Sequence, residues 1–166
     1  WCDNTFPSVC LPIIEKKKNF IMVDLQEQQM NVFADKEKLY QLIQNLIMNA
    51  NKYTSEGKIQ CIVSQTSSFI SIVIKDNGNG LNHDQKANLV KVFKDTSSQP
   101  FALNESIGIE LAIVKELVHL HLGEIHLESE LDQGTSFTIT LPQEKIETLT
   151  TSVIQHETML NYSMNN

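Results

Sequence analysis

Residues 45–54 read Asn45-Leu46-Ile47-Met48-Asn49-Ala50-Asn51-Lys52-Tyr53-Thr54. They close a longer stretch in which Asp35 offers a side-chain cap and Leu39, Leu42, Ile43, Leu46, Ile47 and Ala50 recur at helical spacing. That spacing predicts a helix from about Asp35 to Thr54 with one apolar face. Asn45, Asn49 and Lys52 follow one another at intervals of four and three, so they line a neighbouring face. Two carboxamides and an ammonium in a row supply a hard oxygen ligand for Mg²⁺ and a cation for phosphate oxygens. Taken alone, these residues read better as a wetted helix face, so the rest of the chain decides.

Working outward, both flanks are extended. Lys58–Gln65 alternates with Ile59, Cys61 and Val63 in phase, Thr66-Ser67-Ser68 turns, and Phe69–Lys75 alternates again through Ile70, Ile72 and Ile74. Upstream, Phe20–Leu25 is an apolar run of strand length that Asn31–Phe33 is expected to pair with. Pro12 is expected to open a short helix through Lys18, with residues 1–10 irregular. Downstream, residues 82–92 read as a helix and 94–105 as a long polar loop of the kind that forms lids. A second striped helix spans about Ile109–Leu122 and stops at Gly123. Glu124–Ser129 is a strand, Gln133-Gly134-Thr135 a turn, and Phe137, Ile139 and Leu141 alternate in a last strand before Pro142. Clean alternation gives a sheet with one packed face, and single-striped helices cover it. The expected fold is α+β: a two-layer sandwich whose mixed, mostly antiparallel sheet is covered on one face by about three helices. A doubly wound parallel sheet would have continuous apolar strands instead.

Composition bounds the function. The 166 residues suit one domain, here divided into a connector (1–19), a folded domain (20–142) and a polar tail or linker (143–166). A net charge of −7 argues against nucleic acid or an anionic membrane as partner, so a polyanionic ligand must be held by local groups. Cys2, Cys10 and Cys61 lack metal-like spacing and read as free thiols in a reducing, cytoplasmic compartment. No apolar run is long enough to span a bilayer, so this segment is expected to make no direct membrane contact. The chain opens at Trp1 without a Met and reads as a piece of something longer.

Three further clusters carry possible chemistry. Asp76-Asn77-Gly78-Asn79-Gly80 is a hairpin turn by its Asn-Gly, yet Leu81–Val92 reads as helical and leaves no second strand. A strand ending in a carboxylate and two spaced glycines also suits adenine, with the acid accepting from the exocyclic amine and the backbone admitting a flat ring. Gly108 precedes a helix and fits a phosphate-binding backbone. Glu110, two residues on, suits the helix dipole but repels a phosphate, by roughly 1 kcal/mol in water and about 4 at a protein surface. Gly134-Thr135 is an ordinary turn whose hydroxyl and N–H can also sit beside a ligand.

Together, Asn45-x-x-x-Asn49-Ala50-x-Lys52-Tyr53-Thr54, Asp76-x-Gly78-x-Gly80-Leu81, Gly108-Ile109-x-Leu111 and Gly134-Thr135-x-Phe137 resemble the ATP-binding catalytic domain of sensor histidine kinases over about residues 20–142. That group sits with the gyrase, heat-shock-ninety and MutL ATPases and their Bergerat-type sandwich. The resemblance implies ATP and Mg²⁺ as ligands, with Asn49 on the metal, Lys52 on phosphate and Asp76 on adenine. It extends the ATP site to Tyr53, Gly78, Gly80, Leu81, Gly108, Ile109, Leu111 and Thr135. Residues 82–107 would form a lid, with Phe93 the remaining member of a Phe pair and Val90 in the other's place. Ser106 and Glu110 stand where the resemblance calls for glycine.

The resemblance also implies a mechanism. Relatives in the wider group carry Glu where this chain has Asn45, and a carboxamide cannot take a proton from water. Asn45 as the catalytic position therefore fits phosphate transfer rather than hydrolysis. The acceptor would be a histidine on a separate dimerisation domain, of this or a partner chain, within a two-component phosphorelay that ends on a response-regulator receiver domain. His119, His121, His83 and His126 do not read as that acceptor, and His156-Glu157 follows the domain instead of preceding it. Such a domain would be cytoplasmic, free or as the intracellular part of an anchored sensor. The alternative is a degenerate, non-catalytic module kept for contact or regulation.

Overall fold

Side-chain alternation decides the sheet. In the computed structural model, which describes residues 5–26, 30, 32, 34–94 and 108–143, Cys61, Ile74, Phe137 and Leu127 lie in one cross-strand row and Val63, Ile72, Ile139 and Ile125 in the next. Gln60, Lys75, Ser136 and Glu128 form the matching row on the other face. One face is thus apolar and largely buried, while the other mixes polar residues with the half-buried Ile62 and Val73, as period-two patterning allows.

The elements in order are α1 (Thr5–Lys16), β1 (Phe20–Leu25), α2 (Lys36–Tyr53), β2 (Lys58–Gln65), β3 (Phe69–Asp76), α3 (His83–Lys94), α4 (Gly108–Leu120), β4 (Glu124–Glu130) and β5 (Gly134–Pro142). The sheet order is β1-β2-β3-β5-β4, with β1 parallel to β2 and the other ladders antiparallel. α2 lays Leu42, Ile43, Leu46 and Ile47 on the apolar face with no exposed surface, and Val114, Leu117 and Val118 of α4 complete the core. This is the expected α+β sandwich with a mixed, mostly antiparallel sheet.

Several expectations shift. α1 starts at Thr5 and carries Pro12 inside it, where residues 1–10 were expected to be irregular. Proline costs one helical hydrogen bond there, while Ile14, 1% exposed, anchors the helix in the core. The helix before Gly123 ends earlier and differently: Leu122 takes the left-handed turn (φ 53), and Gly123 N and Leu122 N donate to Val118 O and His119 O. That is the Schellman arrangement with leucine where glycine is usual. Lys18 (φ 56) closes α1 the same way. The last strand begins at Gly134, so the turn is Leu131–Gln133. Asn31 and Phe33 of the expected second strand, the lid after Lys94 with Ser106, and the tail beyond Gln143 lie outside the described residues, and Val32, between Asn31 and Phe33, is in no strand.

Candidate functional site

The site begins with the rotation of α2. Asp35 caps it, accepting from Glu37 N at 3.0 Å and Lys38 N at 3.1 Å. The Lys38 N–H holds its carboxyl below the usual range against desolvation, and the Glu37 N–H and the Lys38 ammonium add to the pull. With the apolar stripe committed to the sheet, Asn49 and Tyr53 face a groove of about 550 Å³. That volume lies within the range of small-ligand clefts.

Asp76 ends β3 on the opposite side and is 5% exposed. Burial pushes its pKa up, while the Gly78 N–H and then the Thr135 N–H pull it back without cancelling the rise. The Gly78 N–H donates to Asp76 Oδ1 at 2.9 Å. Beyond it the chain bends sharply onto the β4–β5 turn. Gly80 (φ 62) and Gly134 (φ 97) occupy left-handed backbone, and a Cβ on either would collide with Glu130 O or Asp76 O respectively. Only glycine fits both positions. Asp132 N donates to Asn79 O at 2.8 Å, Leu81 N to Ser129 Oγ at 2.9 Å, and Ser129 Oγ to Gly134 O at 2.9 Å. These bonds lace the two turns into one floor.

The far wall is α3. Asn82 and Gln85 form a reciprocal cap, Gln85 N to Asn82 Oδ1 at 2.9 Å and Asn82 N to Gln85 Oε1 at 3.0 Å. Asn82, Gln85 and Asn88 turn the same face to the groove. Phe93 meets Phe137 edge to face at 6.1 Å behind it.

Of the residues singled out from sequence, Asn49, Tyr53, Asp76, Gly80, Leu81, Leu111 and Thr135 line this groove. Gly78 lies against Tyr53 O and Thr54 Oγ1, just behind the wall. Gly108 opens α4 and Ile109 follows it. Asn45 is not among the lining residues, and its Nδ2 is buried with no hydrogen-bond partner among the described residues. Lys52 is exposed at the rim, its ammonium 5.4 Å from the Tyr53 ring centroid. Glu110 is half-buried and does not line the groove. Sequence reading missed the carboxamides of Asn82, Gln85 and Asn88, and Leu131 and Asp132 of the turn. The Asn82-x-x-Gln85 cap and the three-residue spacing to Asn88 were the available signals. Asp76 and Asp132 are the charged groups among the described lining residues, so a polyphosphate here needs a counter-charge.

A model of the family described as histidine kinase-, DNA gyrase B- and HSP90-like ATPases matches residues 34–145. The chain belongs to this family. It is 34% identical over 132 residues to the adaptive-response sensory kinase SasA of Synechococcus elongatus, covering 76% of this chain and 33% of that protein. It is 37% identical over 126 residues to the heme sensor protein HssS of Staphylococcus saprophyticus, covering 75% and 26%. The chain thus spans a third or less of the length of these relatives. Among solved structures, the catalytic domain of the histidine kinase ThkA matches 83% of this chain and 88% of its own with a TM-score of 0.69 at 21% identity. Full-length ShkA in complex with AMPPNP matches 82% and 28%, with a TM-score of 0.69 at 25% identity. The described residues have the fold of the ATP-binding catalytic part of histidine kinases. Among them no helix is long and apolar enough to cross a membrane.

Proposed function

We propose that the groove binds ATP with Mg²⁺ and holds the γ-phosphate for transfer to a histidine on a separate dimerisation domain, within a sensor histidine kinase. The observation that carries this reading is the placement of Asn49 and Asp76 across one groove. The buried Asp76 carboxylate accepts from the adenine amine, and the Gly78–Gly80 bend lets the ring lie on backbone. Asn49 offers its carboxamide oxygen to Mg²⁺. Among the described residues no group of three or more His, Cys, Asp or Glu is placed to hold a metal. One protein oxygen plus phosphate oxygens and water suits Mg²⁺, which keeps much of its hydration. When bound, the ion neutralises phosphate charge, which is most of what phosphoryl transfer asks of a protein. Lys52 supplies a second cation from the rim. Asn45, at the position that the family resemblance makes catalytic, carries a carboxamide and cannot act as a base.

The same reading assigns residues 1–19 as the connector toward the histidine-bearing domain, 20–142 as the catalytic domain and 143–166 as a tail. A response-regulator receiver domain is the downstream partner, and the domain works on the cytoplasmic side. ShkA, a structural neighbour, is a protein in complex with AMPPNP, which supports a nucleotide as the ligand here. The test is calorimetric titration with AMPPNP and Mg²⁺. Sub-millimolar binding that vanishes in Asn49→Ala is expected; no binding at millimolar nucleotide would leave a non-catalytic contact module as the better reading.

A further inference from the structure

The C-terminal carbonyls of a helix lack intrahelical donors and sit at the negative end of its dipole. In α2 those carbonyls are held from outside. Lys17, just past α1, donates from Nζ to Lys52 O at 2.7 Å, Asn51 O at 3.0 Å and Thr54 O at 3.3 Å. Asn19, 4% exposed, donates from Nδ2 to Asn51 Oδ1 at 2.8 Å and Thr54 O at 2.9 Å, and its Oδ1 accepts from Gly57 N at 2.9 Å. Ile14 fixes α1 to the core one turn earlier.

The other side of the same turn faces the groove. Tyr53 lines it, and Tyr53 O accepts from Asn79 N at 3.2 Å. Gly78 of the bend packs against Tyr53 O and Thr54 Oγ1. Asn49 sits one turn back on the same helix. The last turn of α2 is therefore gripped between the end of α1 and the Asp76–Gly80 bend.

We propose that Lys17 and Asn19 are positioning residues that hold the last turn of α2 against the Asp76–Gly80 bend, so that the seating of α1 and the affinity of the groove for nucleotide rise and fall together. The inference rests on the nucleotide reading above and adds to it a route from the connector to the groove. Coupling of this kind is reciprocal, so nucleotide also tightens the docking of α1. A plain helix cap would behave differently: its loss would lower the melting temperature and leave affinity unchanged.

The test compares the wild-type chain with Lys17→Met and Lys17→Arg by titration with AMPPNP and Mg²⁺, well below the melting temperature of each. Lys17 is exposed, so Lys17→Met keeps the core intact. Hydrogen exchange of the α1 amides is read with and without nucleotide. Lys17→Met should bind about five- to tenfold more weakly, at the modest end of measured site-to-site coupling. Nucleotide should slow α1 exchange in the wild type and not in Lys17→Met, and Lys17→Arg should recover most of both effects. Equal affinity and equal α1 protection in Lys17→Met and wild type would overturn the proposal. A wild type that binds no nucleotide would instead overturn the reading on which it stands.

Discussion

The two sides of the groove are built by opposite means. On the β-sheet side, Asp76 and Phe137 are 5% and 2% exposed. On the α3 side, Asn82, Gln85 and Asn88 are exposed carboxamides, joined by an exposed Leu131 and Asp132. The buried side fixes a shape before any ligand arrives, which suits a flat, rigid base. The wet side offers donors and acceptors that re-aim at little cost, which suits groups whose position changes during a reaction.

If that contrast is right, its sides respond unequally to substitution. Phe137→Ala on the buried side should cost about 3–5 kcal/mol in urea unfolding; a loss below about 1 kcal/mol would mean that this wall is not a packed one. Asp76→Asn should weaken nucleotide binding at least tenfold, since a charge-assisted hydrogen bond contributes about 1.5–3 kcal/mol. The same variant carries a pH signature. Burial raises the native pKa of Asp76 above the ordinary carboxylate value of 3.8. Stability from that rise is complete below the ordinary value and is lost as pH climbs through the native one. The melting temperature of Asp76→Asn minus that of wild type should therefore increase from about pH 4 to about pH 7, and a flat difference would contradict the raised pKa. On the wet side, Asn82→Ala should cost about 1 kcal/mol, because it removes the side-chain cap of α3. Asn88→Ala should stay within about 0.5 kcal/mol in the same unfolding assay, and a larger loss would show that α3 is held more rigidly than its exposure implies.

Burial explains what was legible in the sequence. Leu39 to Ala50 and the strands Ile59–Val63, Ile70–Ile74 and Phe137–Leu141 carry the period of their element because one face of each must leave water. Gly80 and Gly134 were legible because sterics leave no other residue possible there. The wet wall was not, since exposed Asn88 or Asp132 is under no such constraint. Helix ends were misplaced for a related reason: Lys18 and Leu122 accept left-handed backbone that sequence reading reserves for glycine. The Lys17 clamp was out of reach because its carbonyl partners lie 34 to 37 residues away and carbonyls have no sequence identity.

The strand order also governs how the chain comes together. β2–β3 and β4–β5 are neighbours in sequence and close over short turns, whereas the β3–β5 ladder joins residues 69–75 to 136–142 and β1 reaches β2 only across α2. Loop-closure entropy therefore favours the two hairpins early and the long-range seams late. Asp76, Thr135 and Phe137 lie along or at the end of the β3–β5 seam, so the groove is complete only once those two strands have paired. AMPPNP added during refolding should leave hairpin protection rates unaltered in pulse-labelled exchange and act on the β3–β5 seam alone.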